Sequence, residues 1–123
     1  MVTAGVLLLV ACSEPWPGQS LVGYPQLAEN VRNYYQRNAW ERSATCVQPY
    51  MTGILRAEIV ERPDPDTALV KVRYAWRDGV SDDDPPFVGC NGISERLFVV
   101  DTRDQIPRVV SMDGEQRPPR RRS

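Results

Sequence analysis

Thr67-Ala-Leu-Val-Lys-Val-Arg-Tyr-Ala-Trp-Arg77 decides the fold. Ala68, Val70, Val72, Tyr74 and Trp76 alternate with Leu69, Lys71, Arg73, Ala75 and Arg77, so one set faces a core and the other a wetter side. A strict period of two over eleven residues is the signature of a β-strand with one buried face. Arg62-Pro-Asp-Pro-Asp66 precedes it, and two prolines among two acids predict a turn. On the other side of that turn lies Met51–Glu61, where Met51, Gly53, Leu55, Ala57 and Ile59 alternate in the same way, which predicts a hairpin.

Working outward, a loop of residues 78–92 carries Asp82-Asp83-Asp84-Pro85-Pro86. A third strand is predicted over Ile93–Asp101, with Ile93, Leu97 and Val99 on one side. A polar turn at 102–105 leads to a fourth strand over Ile106–Met112, where Pro107 fits only the beginning or an edge. Upstream, Gln26 to Trp40 contains no internal Gly or Pro and follows Pro25, a residue suited to a first helical turn. Leu27, Val31, Tyr34, Tyr35 and Ala39 make one apolar stripe, with Glu29, Arg32, Asn33, Gln36 and Arg37 opposite. The expected class is therefore α+β: one N-terminal amphipathic helix packed on a four-stranded antiparallel sheet, occupying residues 24–113.

The chain opens differently. Its first 11 residues carry no charged side chain, and Val6–Val10 is aliphatic throughout; after Cys12 the composition turns at once to Ser, Glu, Pro and Gly. A short apolar segment of this kind is too short to span a bilayer and has the pattern of a secretory signal. The bland alternative is a core strand with an ordinary buried thiol, which Pro15 and Pro17 oppose by crowding its end. Leu9-Val10-Ala11-Cys12 resembles the lipobox of bacterial lipoproteins. That resemblance implies a signal peptide over 1–11, cleavage before Cys12, acyl chains on the Cys12 sulfur and new amino terminus, and a body facing the periplasm. Ser13 in the next position implies the outer membrane in that family. Two or three acyl chains would make attachment effectively permanent, each buried methylene contributing about 0.8 kcal/mol. Residues 12–23, rich in Pro, Gly and Ser, read as a lipidated cysteine with a flexible tether spanning on the order of 15–20 Å.

The order helix, then two antiparallel hairpins, resembles the cystatin-like or nuclear-transport-factor-like roll. Rolls of the second kind often hold a small apolar ligand between helix and sheet, and some act as isomerases or dehydratases. The resemblance implies a possible pocket at Tyr34, Tyr35, Tyr74 and Trp76, with Asp101 as an available carboxylate; an aromatic stripe at helical spacing is equally a plain core. A cystatin-type inhibitor would need an apolar hairpin wedge, whereas Arg62–Asp66 and Asp101–Gln105 are charged.

The remaining chemistry is narrow. There is no histidine, which removes Ser–His and Cys–His catalysis and His-ligated metal sites. With Cys12 lipidated, Cys46 and Cys90 remain, and an exported protein with two cysteines is expected to join them; two buried thiols are the alternative. Three consecutive acids do not have the alternating spacing of a calcium loop, so a solvated loop is expected at Asp82–Asp84 and no metal or other cofactor is foreseen. The chain has 15 basic and 16 acidic side chains, and four of the arginines (Arg117, Arg120, Arg121, Arg122) lie in the terminal stretch, leaving 11 against 16 up to Gln116. An acidic body in an exported chain argues against nucleic acid as a partner. A basic tail over 114–123 suits anionic head groups, cell-wall polymer or an acidic protein patch, or is simply a solvated end. The reading as a whole is a membrane-anchored binding or assembly subunit of an envelope complex, without catalysis; its alternative is a carrier or enzyme with a site beneath the helix.

Overall fold

The computed structural model describes residues 20–42, 45–79 and 90–117. The helix α1 (Leu27–Asn38) precedes four strands, β1 (Pro49–Asp64), β2 (Thr67–Asp78), β3 (Asn91–Asp101) and β4 (Arg108–Met112). They pair antiparallel in the order β1-β2-β3-β4, a meander in which every strand neighbours its successor. This is the expected α+β class, one helix on a four-stranded antiparallel sheet. The helix starts well inside the chain rather than at its terminus, and it is shorter at both ends than the sequence predicts. Gln26, just before it, adopts a left-handed conformation (φ 62°), and Ala39 is extended, donating its N–H to the Tyr35 carbonyl at 2.9 Å.

The core is made by Leu27, Val31, Tyr35 and Ala39 from the helix side against Val70, Val72, Tyr74, Phe98 and Val100 from β2 and β3, all fully buried. Burying side chains of this size is worth about 1.5–3 kcal/mol each, which is why the amphipathic stripe of the helix settles on this face. In β2 the alternation is as predicted: Ala68, Val70, Val72, Tyr74, Trp76 and Asp78 are buried. In β3 the predicted apolar side, Ile93, Leu97 and Val99, lies on the outer face, and Arg96, Phe98 and Val100 point inward. Each side of β3 carries apolar residues, and the inner one is chosen by what Arg96 binds.

In β1 the expected alternation breaks. Pairing with β2 runs Met51↔Trp76, Gly53↔Ala75, Ile54↔Tyr74, Arg56↔Arg73, Ala57↔Val72 and Ile59↔Val70, so Thr52 and Leu55 are each an extra residue. These bulges shift the inward phase, packing Ile54 onto the core and turning Leu55 out to 54% exposure. Bulges also bend a strand, and Arg62 near the far end of β1 lies over the Tyr24 ring, 5.8 Å from its centroid.

The edges of the body extend past their predicted limits. Residues 20–23, read as tether, include a two-residue reversal: Leu21 and Tyr24 exchange backbone hydrogen bonds of 3.0 and 2.9 Å around Val22 (φ 46°) and Gly23 (φ 92°), the geometry of a type I′ turn. At the other end the basic tail does not begin at 114. A strap over 113–117 returns to the helix exit: Trp40 donates to Glu115 O at 3.1 Å, Arg117 N–H to Asn38 O at 2.8 Å, and the Gln116 side chain to Met112 O. The helix in turn covers the β4 edge, Asn30 Nδ2 donating to Pro107 O at 2.7 Å, which blunts an otherwise open strand.

Gly114 in the strap has φ 89°, and a Cβ there would stand 2.2 Å from Arg96 Nη1. That guanidinium is held by several hydrogen bonds and cannot move aside without losing them. Gly114→Ala is therefore expected to lower the unfolding free energy by about 2–4 kcal/mol in urea denaturation. Gly53→Ala, where nothing lies within 4 Å of the new carbon, should stay within about 0.5 kcal/mol. Equal effects of the two would contradict this account of the strap.

Candidate functional site

Two polar features are built by the fold, one sealed and one open. The sealed one centres on Glu41, just past the helix, and on Arg96, on the inner face of β3. Each is buried. Glu41 Oε2 accepts a hydrogen bond from Tyr35 OH at 2.6 Å and another from Tyr74 OH at 2.7 Å. Arg96 Nε donates to Tyr74 OH at 2.9 Å, and Arg96 Nη2 lies 3.6 Å from Glu41 Oε2. The rest of the guanidinium is spent on carbonyls: Nη2 to Trp40 O at 2.6 Å, Nη1 to Asp113 O at 2.6 Å and to Glu115 O at 3.3 Å. The Tyr35 and Tyr74 rings meet edge to face at 4.9 Å, and the Arg96 guanidinium lies 5.8 Å from the Tyr35 centroid. A buried charge persists only when paired and hydrogen-bonded, and here both members meet that condition.

Burial, then the negative charge of Glu41 and its hydrogen bonds, hold both phenols protonated well above the ordinary tyrosine range. For Arg96, burial pulls the pKa down, but the Tyr74 oxygen and Glu41 more than offset it, and it rises. These groups are closed off from solvent, Tyr35 and Tyr74 completely. Their chemistry is cohesive: they join helix exit, sheet and strap.

The open feature is a groove of about 1070 Å³ between the polar side of α1 and the start of β1. Arg32, Arg37 and Arg117 line it with Trp40 and Tyr50, and among the described residues lining it none is acidic. Arg117 is fixed there by donating Nη2 to Gln36 O at 2.6 Å and Nε to Ala39 O at 3.3 Å. The Trp40 backbone is held from both sides, by Glu115 and by Arg96. At Tyr50, the ring stands 3.5 Å from where a side chain on Gly79 would begin, an ordinary contact distance.

The sequence-predicted residues separate. Tyr35 and Tyr74 fill the space beneath the helix, Trp76 is nearly buried and donates Nε1 to Ser94 Oγ at 3.0 Å, and Tyr34 lies apart on a shallower groove of about 440 Å³ with Arg108 and Ile106. The aromatic set therefore does not line one pocket. Asp101 is engaged by Arg103, whose side chain and backbone N–H both donate to it, with Arg108 nearby at 3.6 Å; these hold its carboxyl at about 2. Cys46 and Cys90 form a disulfide with Cα atoms 5.6 Å apart. It closes a separation of 44 residues, worth about 4 kcal/mol on the chain-entropy account, and ties the segment after the helix to the start of β3. Buried Asp78 lies beside the two sulfurs and accepts the Gln48 N–H at 3.1 Å. Cys12, Asp82–Asp84, Arg120, Arg121 and Arg122 lie outside the described residues.

Glu41 and Arg96 were not foreseen as partners. The available signal was Arg96 in phase with Phe98 and Val100, a charge on an otherwise apolar face, which in a folded chain demands a counter-charge. No protein-family profile, curated protein or solved structure matches this chain.

The raised phenols set a pH dependence. Unfolded tyrosines lose their protons near pH 10, whereas Tyr35 and Tyr74 keep theirs in the folded state. The stability they confer is whole below pH 10 and falls as the pH rises beyond it. Urea midpoints measured across the alkaline range should be flat up to about pH 10 and then decline, with two phenols resisting ionisation until unfolding. Ionisation of all five tyrosines near pH 10 in the folded protein would contradict the network.

Proposed function

We propose that this protein is a membrane-anchored lipoprotein whose small body faces the periplasm and acts by binding, as an accessory or assembly subunit of a cell-envelope complex. The observation that carries the binding half is the open groove: Arg37, Arg117, Trp40 and Tyr50 line a concavity that solvent reaches, whereas Tyr35, Tyr74 and Arg96 are locked inside as structural cement. A site that recognises must be reachable, and the groove is. The anchoring half rests on Leu9-Val10-Ala11-Cys12 and the apolar segment before it. The Cys46–Cys90 bridge supports an oxidising compartment, since persistent disulfides belong to exported proteins.

Within this reading the body is a small roll of the cystatin-like or nuclear-transport-factor-like kind. What supports it is the antiparallel meander whose bulged first strand bends beside a single helix. What favours this reading over the alternative, a carrier or enzyme with a pocket beneath the helix, is that Tyr35 and Tyr74 are themselves fully buried there and in edge-to-face contact.

Fractionation of the producing bacterium with mass spectrometry of the purified chain tests the anchor. The expected product begins at Cys12, carries acyl chains and sediments with membranes, and Cys12→Ser releases it or leaves residues 1–11 attached. An unmodified chain starting at Met1 and soluble in the cytosol would overturn the proposal.

A further inference from the structure

Outside the buried network and the groove, the described residues contain one group of metal-ligating side chains. It is Cys46, Asp78 and Cys90, whose two sulfurs and a carboxylate oxygen all lie within 4.8 Å of one another. All three residues are buried, Asp78 to 1% exposure. They come from the segment after α1, the end of β2 and the residue before β3. Backbone hydrogen bonds that owe nothing to the disulfide hold each of these parts. Cys46 donates its N–H to Glu41 O at 3.3 Å, Asp78 its N–H to Cys90 O at 2.9 Å, and Gly79 its N–H to Gln48 O at 3.0 Å. The Gln48 N–H donates to Asp78 Oδ2 at 3.1 Å. A carboxylate oriented by such a hydrogen bond is the kind that metal sites use, and it keeps lone pairs for a further bond. Breaking the S–S bond therefore leaves two thiols beside an oriented carboxylate, on backbones that are still fixed.

We propose that in the dithiol state Cys46, Cys90 and Asp78 form a three-ligand site for a zinc-like divalent ion, so that disulfide and metal are alternative occupants of one place. Thiolate sulfur selects such an ion over magnesium or calcium. Zinc–sulfur bonds of about 2.3 Å in tetrahedral geometry put two sulfurs about 3.8 Å apart. Turning the two side chains about Cα–Cβ supplies that separation from Cα atoms 5.6 Å apart. Charge agrees as well. A neutral disulfide beside the Asp78 carboxylate carries one negative charge, and a doubly positive ion with two thiolates and the same carboxylate carries one too. The exchange thus adds no net charge to a buried place, where extra charge is costly. A dithiol reductant supplies the two electrons and two protons, its own sulfurs closing into a disulfide while Cys46 and Cys90 become thiols. The ion then bonds to both sulfurs and sends their two protons to solvent. Three protein ligands leave the fourth tetrahedral position to water. In an oxidising compartment the disulfide is the resting form, and the metal form marks chains that a reductant has reached. This site is independent of the groove and of the anchor.

The full chain carrying Cys12→Ser, in which only Cys46 and Cys90 can supply thiols, is reduced with a phosphine, desalted without oxygen and titrated with Co2+. Cobalt bound to thiolate gives a near-ultraviolet charge-transfer band. The reduced chain should take up one Co2+ and yield it to Zn2+, while the oxidised chain shows no band. Zn2+ should raise the urea midpoint of the reduced chain and leave that of the oxidised chain unchanged, because only the former offers the site. Asp78→Asn keeps an oxygen for the Gln48 N–H, and circular dichroism verifies that it folds. This variant should bind Co2+ at least about tenfold more weakly, since losing even an outer partner of a metal ligand costs that much. Four outcomes would each overturn the proposal: no band in the reduced chain, the same band in the oxidised chain, unchanged affinity in Asp78→Asn, or a reduced chain that stays unfolded with Zn2+ present.

Discussion

A cation inside the core is the constraint on which the rest of this body depends. Arg96 enters the interior from β3 and finds an ion-pair partner in Glu41, a phenol in Tyr74 and the carbonyls of Trp40, Asp113 and Glu115. Removing a guanidinium from water is expensive, and the cost is met only because every one of those partners is in place together. The helix exit, the inner sheet face and the strap after β4 are thus bound to one another through a single side chain. Tyr35 extends the same network from within the helix, and the four side chains form a polar centre in an otherwise largely apolar core.

From that centre the surface follows. The strap is short, contains a glycine at positive φ and has little apolar surface, so by itself it would fray. Pinned by Arg96, it sets Arg117 against the last turn of the helix and fixes the Trp40 backbone. The groove's rim is therefore a consequence of a buried interaction: the Arg117 and Trp40 side of the groove is held from below. The disulfide performs a related task on the other side, joining the segment that follows the helix to the beginning of β3 and so limiting how far the connections around β1 and β2 can spread.

Much of the architecture was legible because the local signals agreed. The alternation of β2 and the buried stripe Leu27–Val31–Tyr35 survive in the structure, and the acidic proline turn predicted at 62–66 survives narrowed to Pro65–Asp66, because β1 continues through Asp64. Where reading failed, a tertiary effect had overridden a period. The bulges at Thr52 and Leu55 leave no mark in composition, yet they exchange Leu55 for Ile54 in the core. In β3 hydrophobicity favoured Ile93, Leu97 and Val99 for the interior, but the opposite phase buries Phe98 and Val100 and gives Arg96 its partners in Glu41 and the Trp40, Asp113 and Glu115 carbonyls. The groove was less visible still, since it brings residues of α1 and β1 together with Arg117 from the far end of the chain. The sequence pattern isolated Arg117 as a partner-facing charge but not its attachment to the helix.

The most direct test of this account is a double-mutant cycle on the buried pair, read by urea denaturation. Arg96→Met retains volume while taking the cation from Glu41 and the guanidinium donors from the Trp40 and Asp113 carbonyls, and should cost about 3–5 kcal/mol. Glu41→Gln should cost about 1–3 kcal/mol, because it removes the charge but leaves an oxygen for the tyrosines. If the network is one unit, the double mutant loses less than the two single losses combined, by more than about 1 kcal/mol. Strictly additive losses, or an Arg96→Met protein as stable as the parent, would contradict the claim that this cation holds the fold and its groove together.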